Sequence, residues 1–245
     1  MKIGIIGATD FDTDYLICNL RSVSTGKVKE SYVANMHVVE FKYLDSSVVV
    51  CTARCGKVNG AVAATILITK YECTDIINIG SCGSLSTALR PGAFAIPKTV
   101  AQYDCDTTGL DEPRYVIQGS CRMTELSTSK SLRYELMRAC PERCLPATGF
   151  NCKAATGDTF IHKRKQIKFF GVDKLHPTIV DMESGAIGQV CWTFRIPFAV
   201  LKQVADICDA DIYGENKYKV SSSLSTAVIR FLEAMYVSNS KQKEG

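Results

Sequence analysis

The sequence lacks the features that mark membrane, nucleic-acid-binding and zinc proteins. None of its apolar runs approaches the roughly 20 residues that a membrane-spanning helix needs. No block of about five or more basic residues occurs, and the net charge is only +4, so nucleic-acid binding has little support. Three histidines in 245 residues and the absence of any CxxC pair leave no zinc-ligand spacing.

Cysteine is abundant, with 12 residues, but their spacing does not indicate disulfides or metal binding. The N-terminal segment predicts a strand and lacks the apolar core of a signal peptide, so we expect a cytosolic protein with reduced thiols. Four cysteines lie in or beside apolar runs and are expected to be core thiols, namely Cys51, Cys82, Cys152 and Cys191.

Strand and helix patterns alternate along a chain that is 46% apolar and 22% charged. This predicts a single-domain three-layer α/β/α sandwich around a mixed central sheet, spanning residues 1–238 and followed by a frayed tail at 239–245. Strands are predicted at 2–6, 37–43, 47–52, 75–79, 94–99, 152–156, 179–182 and 198–204. Helices are predicted at 60–71, 130–140, 162–169, 183–193 and 221–236, and loops at 103–125 and 209–219.

The segment 178–186, TIVDMESGA, is the most informative part of the chain. A buried strand ends and a helix begins there, at the strand end where ligands bind in open α/β sheets. The carboxylate of Glu183 can accept hydrogen bonds from a vicinal diol, and Met182 can pack on a flat ring or sugar face. The pair suggests a nucleoside or sugar, although Glu is also favoured in a first helical turn and Met also fills cores.

Four further strand ends carry residues capable of chemistry. They lie at 8–12, 80–84, 156–161 and 204–206. Each has a plain structural explanation as a turn, a helix cap or core. Because the sheet can bring all of them to one rim with Met182 and Glu183, their convergence favours a binding site.

Five segments together form a recognisable set: MKIGIIGA at 1–8, GSCGSL at 80–85, TGDTFI at 156–161, VDMESGAI at 180–187 and the apolar strand closing on Asp206. With these motifs the chain resembles the methylthioadenosine/S-adenosylhomocysteine nucleosidases of the nucleoside phosphorylase/hydrolase fold family. The resemblance implies hydrolysis of an N-glycosidic bond to release adenine, a place in methionine salvage, no metal or organic cofactor, and a homodimer. A purine nucleoside is the implied small-molecule partner, with no role for nucleic acid or membrane.

The resemblance also implies catalytic roles. Asp206 would be the general acid that protonates purine N7, and Glu183 would bind the ribose hydroxyls. Asp12 stands where the family carries a Glu that holds the attacking water. This assignment agrees with the chemistry, because cleavage builds positive charge on the ribose and negative charge on the base.

Substrate-binding roles follow from the same resemblance. Phe160 would stack on adenine, and the backbone of Ile161 would bond to its edge. The remaining implied binding residues pack against the sugar or line the floor of the site, and they are Met182, Ser81, Cys82, Gly83 and Thr9.

Three positions depart from the family pattern. Asp12 is one methylene shorter than the usual Glu, Ala205 stands where Ser is common, and Thr9 stands where Met is common. These departures bear on water placement and on the preferred 5′ substituent.

Two other functions remain open from the sequence. A phosphorylase would need cationic or backbone donors for phosphate. Residues 77–79, before the GSCGS segment, supply no cation. Arg54 resembles a phosphate-binding Arg of trimeric phosphorylases, but it is also explained as a solvated loop residue. A non-catalytic nucleoside-binding or storage protein is the third reading.

Overall fold

The computed structural model describes residues 1–44, 46–140 and 152–243, and strands and helices alternate through them. The strands are β1 (Lys2–Gly7), β2 (Lys29–Val33), β3 (Met36–Tyr43), β4 (Ser46–Thr52), β5 (Asp75–Ser84), β6 (Phe94–Ala95), β7 (Thr99–Gln102), β8 (Leu126–Ser127), β9 (Lys153–Thr156), β10 (Ile179–Asp181) and β11 (Phe198–Asp206). The helices are α1 (Asp10–Val23), α2 (Lys57–Thr69), α3 (Lys130–Ala139), α4 (Arg164–Phe169), α5 (Ser184–Phe194) and α6 (Ala210–Lys243).

The strands form one mixed sheet in which β5 is the central element. The order is β2-β3-β4-β1-β5-β10-β9-β7-β8, and β11 pairs with β5 and with β6. Strand β5 is parallel to β1 and β11 and antiparallel to β10. Ile6 of β1 pairs with Asn78, and Val180 of β10 pairs with Gly83. Strands β1 and β10 therefore approach the same stretch of β5 from opposite directions, which brings their carboxyl ends together.

Helices cover both faces of the sheet, as the three-layer prediction requires. Ile5 packs with Leu16 of α1 and Phe231 of α6, whereas the next residue, Ile6, packs with Leu67 of α2 on the other face. Because both faces are buried, the central strands are almost continuously apolar. Each such side chain contributes roughly 1.5–3 kcal/mol on full burial, so the sheet provides a rigid base for the loops at its rim.

Free, buried thiols confirm the prediction for the four core cysteines. Cys51, Cys82, Cys152 and Cys191 are buried and form no disulfide with another described residue. Cys144 falls outside those residues. Within the described ranges, no helix combines the length and apolarity needed to cross a membrane.

The prediction of a loop at 209–219 is wrong. Helix α6 begins at Ala210 and continues to Lys243. Although Gly214 weakens this stretch as a helix, Tyr213 packs against the apolar core on the α1 face of the sheet. Tertiary packing therefore extends the helix eleven residues before position 221. It also reaches into the predicted tail at 239–245, of which residues 244 and 245 lie outside the described residues.

Two strand predictions need correction. The strand predicted to end at residue 79 continues to Ser84, because Gly80 adopts φ +145 and lets β5 proceed to pair with β10. The strand predicted at 94–99 is two separate strands, β6 and β7, because Pro97 lies between them and cannot donate a ladder hydrogen bond.

Candidate active site

One cavity of about 270 Å³ lies where these strand ends meet, and every site residue named from the sequence lines it. Asp206 and Glu183 share this cavity. The complete predicted set in its wall is Thr9, Asp12, Ser81, Cys82, Gly83, Phe160, Ile161, Met182, Glu183 and Asp206. The convergence of separate strand ends, expected from the sequence, is therefore present in the fold.

Asp12 is held in the first turn of α1 by four hydrogen bonds. Its Oδ2 accepts from Ala8 N at 3.1 Å, from Thr9 N at 2.8 Å and from Thr9 Oγ1 at 2.9 Å. Its Oδ1 accepts only from Ser81 N, at 3.3 Å. Burial raises the pKa of this carboxyl, although Lys202 and these hydrogen bonds oppose the shift.

A glycine permits this close approach of Asp12 to β5. A Cβ at Gly80 would lie 3.1 Å from Asp12 Oδ1, and the φ of +145 is one that side chains rarely adopt. Gly80, the first residue of the GSCGS segment, therefore lets the Asp12 carboxylate reach the backbone amide of Ser81. Asp12 is thus fixed and buried, and it forms part of the cavity wall.

Glu183 occupies the N-cap position of α5 and is buried. Its Oε1 accepts a hydrogen bond from Gly56 N at 3.1 Å, and its Oε2 lies 3.4 Å from Lys202 Nζ. Burial raises the pKa of the Glu183 carboxyl, and the Lys202 charge opposes the increase. Both oxygens are therefore oriented before any ligand binds.

Lys202 is the principal site residue that sequence reasoning missed. It is 1% exposed, in the middle of β11, and its Nζ lies 3.2 Å from Asp181 Oδ2 as well as near Glu183. Although burial alone lowers the pKa of a lysine, the carboxylates of Asp181, Glu183 and Asp12 raise that of Lys202 above its ordinary value. A lone Lys within the apolar strand sequence FAVLKQVAD was the available signal, because a buried cation needs partners.

Asp181 anchors Lys202 and belongs to a buried network. Its Oδ1 accepts from Thr156 Oγ1 at 2.6 Å and from Ser184 Oγ at 3.0 Å, and its Oδ2 accepts from Ser184 N at 3.2 Å. Strands β9 and β10 and helix α5 are thereby joined beneath the cavity. The arrangement fits a scaffold that keeps Lys202 in place.

Asp206 is the last residue of β11 and also lines the cavity. A register irregularity between Val204 and Asp206 turns the carboxylate toward Gly83, where a Cβ would lie 3.2 Å from Oδ1. That oxygen accepts from Cys208 N at 2.6 Å and from Asp209 N at 3.3 Å. Burial raises the pKa of Asp206 to about 6 despite these hydrogen bonds, so this carboxyl keeps its proton to much higher pH than an ordinary aspartic acid.

Aromatic side chains form the mouth of the cavity. Phe160 is 41% exposed, meets the ring of Tyr213 edge-on at 5.4 Å and stacks with His162 at 6.0 Å. Tyr213 also lines the cavity and shares a hydrogen bond with the Ser81 side chain. Sequence reasoning missed Tyr213 because it placed residues 209–219 in a loop.

The carboxylates around Lys202 do not form a metal site. Among the described residues, no group of three or more His, Cys, Asp or Glu side chains has the arrangement to hold a metal ion. The Lys202 ammonium instead supplies the positive charge at their centre.

The family can now be assigned from sequence comparison. The model of the Phosphorylase superfamily matches residues 2–235. A 5′-methylthioadenosine/S-adenosylhomocysteine nucleosidase of Buchnera aphidicola subsp. Schizaphis graminum is 33% identical over 238 residues, which cover 95% of this chain and 96% of the relative. The chain belongs to this nucleosidase family. A relative of the same name from Shewanella denitrificans is 28% identical over 86% of this chain and 88% of its own.

Solved structures show the same fold. A mutant Helicobacter pylori nucleosidase with 5′-methylthioadenosine in its active site has a TM-score of 0.85 at 21% identity, over 95% of this chain and 98% of that one. A futalosine hydrolase of the same species has a TM-score of 0.84 at 21% identity, over 95% and 97% of the two chains. The mixed sheet with covering helices is thus the nucleoside phosphorylase-like fold that the sequence predicts.

The structure shows the environments of the three positions that depart from the family pattern, which are Thr9, Asp12 and Ala205, and also that of Arg54. Thr9 bonds to Asp12 with both its backbone and its hydroxyl, so it fixes the shorter acid. Ala205 is fully buried in β11 beside Asp206. Arg54 is exposed, donates to Asn35 O at 3.5 Å and is not part of the cavity wall, which favours the solvated-loop explanation over the phosphate ligand.

Proposed function

We propose that the protein hydrolyses the N-glycosidic bond of 5′-methylthioadenosine, S-adenosylhomocysteine or both, releasing adenine and a 5-substituted ribose. The names of its relatives support this substrate class. The observation that carries the proposal is the shared cavity, whose wall contains Asp12, Glu183 and Asp206, the last with its pKa raised to about 6.

Asp206 acts as the general acid at the base. Its buried carboxyl donates a proton to purine N7 as the bond breaks, so adenine leaves as a neutral molecule. Phe160 stacks on the ring, and the backbone of Ile161 bonds to its edge. A positioned general acid contributes roughly 10²- to 10⁴-fold to such a reaction.

Glu183 and Met182 bind the sugar. The carboxylate of Glu183 is oriented by Gly56 N and faces Lys202, and its remaining lone pairs accept hydrogen bonds from the ribose hydroxyls. The ribose becomes positively charged in the transition state, so a preoriented carboxylate stabilises that state more than the substrate.

Asp12 holds the attacking water. Three of its four hydrogen bonds end on Oδ2, which leaves Oδ1 with a lone pair for a water donor. Hydrogen bonds from Thr9 and Ser81 fix the carboxylate of Asp12. This fixed position compensates for a side chain that is one methylene shorter than the usual Glu.

Local charge supports water rather than phosphate as the nucleophile. Lys202 is surrounded by Asp12, Asp181 and Glu183, so the sugar side of the cavity carries more negative than positive charge. Electrostatic repulsion from this excess negative charge would disfavour binding of a phosphate dianion. The other candidate cation, Arg54, lies outside the cavity wall.

Adenine release from methylthioadenosine, measured with and without phosphate, tests the proposal. We expect the same rate in both conditions, with 5-methylthioribose as the second product. Absolute dependence on phosphate, with a ribose 1-phosphate as product, would establish a phosphorylase. Binding of nucleosides without release of adenine at any pH would establish a storage protein.

The functional unit is a homodimer that works in methionine salvage. Family resemblance supports both statements. A solution mass equal to a single chain of 26.8 kDa, measured by light scattering, would contradict the dimer.

A further inference from the structure

Helix α2 begins without a capping side chain of its own. Its N-cap is Gly56, and its first turn has no acidic residue. The first amides of a helix need acceptors and favour negative charge. Carboxylates from two distant loops supply them, because Gly56 N donates to Glu183 Oε1 at 3.1 Å and Lys57 N donates to Asp158 Oδ1 at 2.7 Å.

Asp158 connects the two sides of the cavity without lining it. It lies two residues before Phe160 in the loop at the base side, and its carboxylate contacts the loop that serves the sugar side. Gly56 adopts φ +102, and a Cβ there would lie 3.2 Å from Asp158 Oδ1. The two loops are therefore in close contact at this point.

The backbone of the Asp158 loop is held independently of the Asp158 side chain. Asp158 N donates to Asp104 Oδ2 at 3.0 Å, and Tyr103 Oη donates to Thr159 O at 2.8 Å. Removing the carboxylate therefore leaves Phe160 and its neighbours in place. What is lost is the hydrogen bond to Lys57 N. The flexible Lys57 side chain still donates through Nζ to Asp104 Oδ1 at 2.6 Å and to Gln102 Oε1 at 3.2 Å, but the backbone amide loses its carboxylate acceptor.

We propose that Asp158 is a positioning residue that holds Gly56 N against Glu183 and so orients the carboxylate that binds ribose. The inference rests on the proposed function, since it uses Glu183 as the ribose ligand. When the bond to Lys57 N is absent, the start of α2 moves, Glu183 loses its aligned donor, and its lone pairs turn from the sugar hydroxyls. Displacements of about 1 Å at such supports can cost roughly 10²-fold in rate.

The test compares Asp158→Ala and Asp158→Asn with a matched control, Asp106→Ala. Asp106 is also an exposed carboxylate that accepts from a backbone amide, Thr108 N at 3.1 Å, but it lies outside the cavity wall. Kinetics with methylthioadenosine give kcat and KM. Calorimetry gives the affinities of methylthioadenosine and of adenine, which has no ribose, and each variant is combined for it with Asp206→Asn so that the nucleoside is not consumed during the titration.

We expect Asp158→Ala to lower kcat/KM by about 10- to 100-fold and to weaken methylthioadenosine binding, while adenine affinity changes less than about twofold. Asp158→Asn should keep most activity because its amide oxygen can accept from Lys57 N. The Asp106→Ala control should match the wild type.

Three results would overturn the inference: unchanged kcat/KM in Asp158→Ala, an equal loss of affinity for adenine and nucleoside, or an equal loss in Asp158→Asn. If the wild type releases no adenine, the proposed function fails instead. Calorimetry then decides the role of Asp158 alone, because selective loss of nucleoside affinity in Asp158→Ala supports it and unchanged affinity contradicts it.

Discussion

Burial, more than any neighbouring charge, raises the pKa of Asp206, the proposed general acid. The desolvation of its carboxyl outweighs two backbone hydrogen bonds that favour the ionised form. We therefore expect Asp206→Asn to keep the fold and nucleoside affinity but to lose at least ~10²-fold in kcat. Steady-state kinetics with calorimetric binding checks this, and near-normal turnover would remove Asp206 from the mechanism.

The same carboxyl predicts a pH dependence. A raised pKa means that Asp206 keeps its proton up to about pH 6 and loses it as the pH increases further. Since the proposed mechanism requires the protonated form, kcat/KM should fall by about tenfold per pH unit well above that value. The pH profile of the wild type should show this limb and that of Asp206→Asn should not; a wild-type profile that stays level to pH 9 would contradict the assignment.

Lys202 shows what a buried charge requires. Replacing it with Met leaves Asp181 and Glu183 buried without their cation, so Lys202→Met should reduce the free energy of unfolding by about 3–5 kcal/mol. Lys153→Met is the control, because its ion pair with Glu125 is partly exposed and should cost about 1 kcal/mol or less. Urea denaturation measures both; equal losses would mean that the Lys202 cluster is not a net support of the fold.

At the scale of elements, the turn after β9 depends on a glycine. A Cβ on Gly157 would lie 2.2 Å from the Tyr103 ring, whose hydroxyl holds the next loop through Thr159 O. Gly157→Ala should lower stability by about 1–3 kcal/mol. Gly109→Ala, with no atom within 4 Å of its Cβ, should change it by less than about 0.5 kcal/mol. Thermal unfolding compares them, and matching midpoints would refute the packing argument.

The strand ends that carry the site could be predicted from the sequence, whereas site residues that depend on tertiary packing could not. The apolar strands and their glycine or acidic ends located Asp12, Glu183 and Asp206, because in this fold those ends meet at one rim. Tyr213 could not be found, since the helix containing it is stabilised by packing on the core rather than by local propensity. The lone Lys202 in an apolar strand was a signal, but its role could not be predicted because a sequence does not show which carboxylates surround a buried lysine.

At the scale of the whole molecule, the pairing of three strands with β5 brings the cavity-lining segments together. Strands β1 and β10 reach β5 from opposite directions, and β11 lies on its other side. The segments that carry Asp12, Glu183 and Asp206 are thus fixed to one sheet rather than to separate domains. In the proposed mechanism, this arrangement lets distant segments of the chain act on one nucleoside.

The central claim is that the cavity gives a proton to the base and a water molecule to the sugar. The most direct measurement is turnover of methylthioadenosine in ¹⁸O-labelled water containing unlabelled phosphate, with mass analysis of the sugar before the anomeric oxygen exchanges with solvent. The account predicts one ¹⁸O on the anomeric carbon of 5-methylthioribose and no sugar phosphate. A ribose 1-phosphate as the first product would contradict it.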